Sequence, residues 1–232
     1  ALLNLGLITW ILPETLPIQE RIILPRKRNL NPFSQLAQLF NNESVRKPCI
    51  GFFLFFMAFN GFTAILVLYL KESFSWTSSL SGWVFAMVGI IAMVVQGGLI
   101  GPLVKRFGEL RLTLAGLGLL TAGCLIITFA NQSNSIPIVF CSSALLAVGT
   151  GLVTPCLRGL ISRRISTSNQ GTVLGGLQGL QSLGTFLGGT AAGFAYDQLG
   201  QRSPFYGGAI MLILVITLLA GIPLDKKKQQ MI

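Results

Sequence analysis

Six runs of uncharged, mostly apolar sequence constrain this chain more than anything else in it: residues 50–70, 81–104, 112–130, 136–157, 174–196 and 203–224. Each is close to the ~20 residues that a helix rising 1.5 Å per residue needs to cross a hydrocarbon core of roughly 30 Å. Polar backbone groups cannot be left bare in lipid, so runs of this length and composition predict helices. The predicted fold class is an all-α polytopic membrane protein with six transmembrane helices.

Composition removes the main alternatives. Only 10% of the 232 residues are charged while 52% are hydrophobic, against roughly 25% charged in a soluble domain. The net charge of +10 would raise nucleic acid as a partner if the cations formed a patch. They fall instead in short clusters between the apolar runs, which fits a lipid bilayer and not nucleic acid. There is no histidine, and Cys49, Cys124, Cys141 and Cys156 form no CxxC pair. No metal site, cofactor or disulfide framework is expected.

Residues 1–12 are apolar but too short to span, so they are expected to be the end of a transmembrane helix whose beginning is missing, and the chain is read as a fragment. Residues 13–49 read as a linker. Pro13 and Pro17 stop the preceding helix. Asn31-Pro32 starts a short amphipathic helix at about 31–42, suited either to the membrane interface or to packing under the helix ends. Residues 225–232 form a basic tail. Of the 17 Lys and Arg residues, fifteen fall in the linker, the loops at 105–111 and 158–170, and the tail. Lys71 and Arg202 alone fall on the other side. That imbalance predicts a multi-pass protein of the plasma or inner membrane with linker and tail cytoplasmic.

Specific stretches carry a family resemblance that covers nearly the whole chain. Pro13-Glu14-Thr15-Leu16 resembles the PET motif that closes a six-helix half in the major facilitator superfamily. The loop from Gly101 through Lys105, Arg106 and Gly108 to Arg111 resembles that family's signature G-x-x-x-D-R-x-G-R-R in its degenerate second-half form. The stretch from Gln170 to Gly184 resembles the eleventh helix of the drug–proton antiporters, the tetracycline-resistance-like branch. The resemblance implies the C-terminal six-helix bundle of a twelve-helix transporter, moving a small-molecule substrate by alternating access. Efflux of a drug-like or amphipathic solute is the activity implied, with the N-terminal half as the missing partner. Two departures stand out. Lys105 occupies the signature's acid position, so the acid's gating contact should be absent, and Gly188-Gly189 stands where relatives carry Gly-Pro.

Candidate substrate contacts are uncharged polar residues at mid-depth. Asn60 sits among phenylalanines, most of which are expected to face lipid; its amide would meet substrate or bond a neighbouring helix. Thr150 and Thr154 lie beside Gly151 and Pro155. Pro155 cannot donate to the Gly151 carbonyl, which makes this pair either a hinge or a static kink. On the fifth run, Gly171, Gly175, Gly179, Ser182, Gly189 and Gly193 fall within about 80° of arc and form the expected helix-packing face. Gln178 and Gln181 run beside it, lining a cavity or forming an amide ladder, and Leu177, Leu180, Leu183, Leu187 and Phe194 form the expected lipid face. Arg158 is expected to snorkel to the interface. No carboxylate lies within any run, so a coupling acid is expected in the other half. Catalytic residues are not expected: a membrane-embedded enzyme would need paired acids or a nucleophile–base pair. The remaining alternatives are a non-transporting sensor or scaffold of the same descent and a channel, though no filter-like ring is present.

Overall fold

The computed structural model describes residue 40, residues 43–165 and residues 170–222. The half-helix at 1–12, the linker up to residue 39 with nearly all of its amphipathic segment, and the 225–232 tail lie outside the described residues, while the last linker residues, 43–49, form the start of the first helix. Within them the chain is helical and contains no strand. Six helices coincide with the six apolar runs: α1 Glu43–Phe74, α2 Ser78–Phe107, α3 Glu109–Phe129, α4 Ser135–Ser162, α5 Gln170–Leu199 and α6 Ser203–Ala220. Five are long and apolar enough to cross a membrane. The exception is α5, whose glycines, glutamines and threonines dilute its hydropathy over 30 residues.

Most of the helices extend past their apolar runs, and the added turns carry polar and charged residues. At 32 residues α1 is roughly 48 Å long and carries Glu43 in its first turn and Lys71 in its last. The turns between helices are accordingly tight. A single residue, Gly108, joins α2 to α3 at φ 79°, a region that only glycine occupies cheaply. Within α2, Val95–Leu99 forms a π-helical turn.

The bundle is built around α1, which packs on α5 and α6 and touches α4. α3 packs on α4 and α6, and α2 rests chiefly on α4. The expectation that the α1 phenylalanines face lipid is corrected here: Phe52, Phe55 and Phe62 are fully buried and Phe56 nearly so. The Phe62 and Tyr69 rings lie 5.1 and 4.9 Å from that of Phe205 on α6. They are inside because α1 is central, a property of topology that a run of phenylalanines does not reveal.

Lipid is as apolar as leucine, so helices associate here through close packing, and small residues set how close. A Cβ at Gly184 would lie 2.9 Å from the Phe53 carbonyl oxygen. One at Gly188 would collide with the backbone of Met57, and one at Gly61 would lie 3.0 Å from the Gly188 oxygen. The α3–α4 pair repeats the device: Gly116 faces the Gly149 carbonyl at 3.0 Å and Gly149 faces that of Gly116 at 2.8 Å.

The expected packing face of α5 is therefore displaced. Gly171 and Gly193 have nothing within 4 Å of a notional Cβ, Gly189 has only Ala64 at 3.9 Å, and Gly175 and Gly179 are exposed. The face turned to α1 holds Leu177, Leu180, Gly184 and Gly188, including two of the leucines assigned to lipid. Periodicity finds the faces of a helix, but not which one the rest of the bundle covers.

Replacing Gly188 with leucine should destabilise the chain by about 1–3 kcal/mol, the usual cost of forcing volume into a packed contact. Gly193→Ala, in open space, should change little. Thermal melts of the purified chain in detergent would check both.

Candidate substrate pathway and its polar contacts

Each helix carries its polar side chains to a definite place. Asn60 is half-buried on α1, and its Nδ2 donates to the Phe56 carbonyl at 2.9 Å. Among the described residues it makes no side-chain bond to another helix, so its amide oxygen and second N–H are left free. Thr150 on α4 donates to the carbonyls of Leu146 and Ala147 at 2.8 and 3.1 Å. Its hydroxyl is thus spent one turn back and not on the carbonyl that Pro155 leaves without a donor. Such back-bonding is a common way to hide a hydroxyl in lipid and often bends the helix. Gly151 lets α2 approach α4: a Cβ there would lie 2.8 Å from Cγ1 of Val95, at the π turn. Pro155 lies inside a helix that continues unbroken to Ser162.

On α5, Gln178 is exposed, and its backbone carbonyl accepts the Ser182 hydroxyl at 3.0 Å. Gln181 is half-buried and its Oε1 accepts from Nη2 of Arg158 at 2.6 Å. The Arg158 guanidinium also lies 6.0 Å from the Phe52 ring centroid. The structure brings Gln181 together with Arg158 and Phe52; among the described residues no hydrogen bond links Asn60, Thr150 and Gln178 to one another. Arg158 does not snorkel away as expected: it bridges α4 to α5. The sequence signal for it was a lone cation just past the edge of an apolar run, which periodicity could not aim.

Polar clamps close both ends of the bundle. At the basic end, the signature-like loop presents Gly101, Lys105, Arg106 and Arg111 exposed, with Arg106 over the Phe107 ring at 5.3 Å. The acid of this loop that finds a partner is Glu109, whose Oε1 lies 3.0 Å from Nε of Arg163. Gly159 makes room for that carboxylate, since a Cβ there would sit 2.5 Å from the same oxygen. Arg164 donates to the Ser44 carbonyl at 3.0 Å, tying α4 to the start of α1. At the opposite end the Tyr196 hydroxyl donates to Glu72 at 2.6 Å, Ser73 to Gln201 at 2.9 Å, and Arg202 to the Ala130 carbonyl at 3.3 Å. The Trp76 indole reaches Ser135 Oγ at 3.3 Å. Glu72 and Arg158 belong to no sequence motif, and Glu109 falls within the signature-like loop at a position where the signature has no acid.

An apolar cavity of about 180 Å³ opens between α1, α5 and α6, lined by Met57, Gly61, Ala192, Pro204 and Met211 among others. None of Asn60, Thr150, Gln178, Gln181 or Arg158 lines it, so it is not where polar recognition occurs.

With six closely packed helices, a glycine turn after a basic helix end and this polar arrangement described, comparison with known proteins becomes informative. Residues 48–230 match the profile of the Major Facilitator Superfamily. The chain belongs to that superfamily. It is 29% identical over 162 residues to the class C tetracycline resistance protein of Escherichia coli, covering 69% of this chain and 40% of that protein. It is 32% identical over 125 residues to the class G protein of Vibrio anguillarum, covering 54% and 31%. The crystal structure of the human organic anion transporter MFSD10 superposes with a TM-score of 0.80 at 24% identity, over 94% of this chain and 54% of that one. The chain thus spans between about a third and a half of these relatives, and the shared fold is a multi-pass membrane bundle.

Because Arg163 is 55% exposed, its pair with Glu109 should contribute less than about 1 kcal/mol. Gly159→Val, which would push the carboxylate out of its niche, should cost more than Arg163→Ala. Thermal melts of the two variants would rank them.

Proposed function

We propose that this bundle is the C-terminal half of a transporter that carries a small amphipathic organic solute across the membrane by alternating access, in the direction of efflux. The supporting observation is the uncovered side of the bundle. Gly82, Gly89, Gly97 and Gly101 on α2 have nothing within 4 Å of a notional Cβ. On α5 the exposed side includes Gly175, Gln178, Gly179, Ser182 and Thr185. Lipid cannot satisfy amides and hydroxyls, so such a face calls for protein or water against it. A second six-helix unit meeting α2 and α5 would supply both, enclosing a path at the interface of the halves. The glycine stripe that this bundle leaves bare, Gly171 to Gly193, is then the proposed contact face for that unit.

Asn60, Thr150, Gln178 and Gln181 are the proposed substrate contacts in this half, and Gly151 with Pro155 the proposed hinge. The fifteen-to-two distribution of cations favours a cytoplasmic basic end. Relatives named for tetracycline resistance support efflux of an organic solute over uptake of a nutrient. Within the described spans no carboxylate stands at mid-depth, which favours a coupling acid outside this half.

In full-length protein, Asn60→Ala and Gln178→Ala should each alter substrate affinity or selectivity in an efflux assay at unchanged membrane abundance. If both variants export every tested solute like the parent, these residues do not line the path.

A further inference from the structure

One charged side chain at this bundle's interior junction has no opposite charge. Arg158 is half-buried on α4, four residues before the helix ends. A guanidinium offers five N–H donors in a planar fork. One Nη2 donor meets Gln181, a neutral acceptor, and Phe52 offers only the face of its ring. Nε is buried with no hydrogen-bond partner. Among the described acids, Glu109 is engaged by Arg163 and senses Arg163 and Arg164. Glu72 and Asp197 sit at the opposite end, and Glu43 is exposed in the first turn of α1. Breaking a buried pair is costly because a lone charge remains, and this structure holds such a charge without a pair.

The charge also stands in a telling place. α4 and α5 touch little, and the Arg158–Gln181 bond is the side-chain bridge across the gap between them. Arg158 and Gln181 thus join two helices that touch little and that both contact the aromatic α1.

We propose that Arg158 is an oxyanion-binding residue and that this pathway selects amphipathic anions, those with a carboxylate, sulfonate or phosphate on an aromatic or aliphatic body. The assignment rests on the transport reading above and names its substrate class. A planar guanidinium accepts an oxyanion in two parallel hydrogen bonds, a geometry that a lysine cannot copy. The incoming anion supplies a countercharge that the described residues do not, and engages the remaining N–H groups of the terminal guanidinium nitrogens. Gln181 holds the fork in position, and the buried Phe52 ring backs the guanidinium from the α1 side. The same chemistry occurs in an anionic lipid headgroup, so the test must separate a solute from a lipid.

Two probes with one aromatic body and opposite charge suffice: 1-pyrenebutyrate and 1-pyrenemethylammonium, titrated by fluorescence against the purified chain in a nonionic maltoside detergent. The chain should bind pyrenebutyrate saturably and with at least ~10-fold preference. Arg158→Gln should remove that preference, and Arg158→Lys should restore only part of it; pyrenemethylammonium binding should not change. Gln181→Ala, which leaves the cation in place, should weaken pyrenebutyrate less than Arg158→Gln does. Equal binding of both probes overturns the proposal, as does a wild-type preference that survives in a folded Arg158→Gln variant. If Gln181→Ala and Arg158→Gln lower the melting temperature alike and neither alters pyrenebutyrate binding, Arg158 is only a helix tie. Phosphatidylglycerol that saturates the chain at equimolar ratio, with no saturable pyrenebutyrate binding, assigns the residue to lipid and overturns the solute assignment. In full-length protein the two readings separate. Export of cationic and neutral amphipaths with exclusion of anions sinks the anion assignment alone, whereas anion binding without any export sinks the transport reading alone.

Discussion

The contact between the backbones of α1 and α5, where Gly188 meets Met57 and Gly61 meets the Gly188 carbonyl, sets the geometry on which the rest depends. In water a bundle would be held by removing apolar surface from solvent. In a bilayer that drive is absent, and helices stay together only where they fit. Glycines at 184 and 188 let α5 lie almost against the α1 main chain. The same approach turns the opposite side of α5, with Gln178 and Ser182, out of the bundle. The packing of one face thereby determines that a polar face is left uncovered.

That uncovered face connects fold to function. Several hydroxyls in the remaining helices are hidden by bonding back to their own helix, as those of Thr113, Thr121 and Thr150 do one turn back. Gln178 and Arg158 escape that economy: the first is exposed, and the second has one neutral hydrogen-bond partner and a buried Nε with none. At the two ends, the Glu109–Arg163 and Tyr196–Glu72 contacts tie neighbouring elements together, and the described acids lie at these ends. A bundle clamped at its ends, with Arg158 between α4 and α5, suits a half-pathway that attracts negative charge.

Much of this was legible in the sequence. The six runs gave six helices, because only a helix satisfies a backbone in lipid. The loop from Gly101 to Arg111 with its following glycine marked both a turn and a family, and Gly108 at positive φ explains why the turn is one residue long. What failed was orientation about the helix axis. The α1 phenylalanines, expected at the lipid face, are central, and within this bundle α5 packs through Gly184 and Gly188, which lie outside the glycine stripe. In membrane helices lipid and protein interior are equally apolar, so hydrophobic periodicity loses the contrast it has in soluble proteins. Arg158 was missed for a related reason: a long side chain near a helix end can point to water or inward, and only the positions of Gln181 and Phe52 decide.

The account stands or falls on what covers the outer face of α5. The most direct measurement is the collision accessibility of nitroxide labels placed singly at positions 178, 182, 183 and 194 in the full-length protein embedded in a bilayer. Labels at 178 and 182 should collide more with a water-soluble nickel chelate than with oxygen, while labels at 183 and 194 should show the reverse. Oxygen-dominated collisions at all four positions would mean that lipid covers the glutamine-bearing face, and would contradict the pathway.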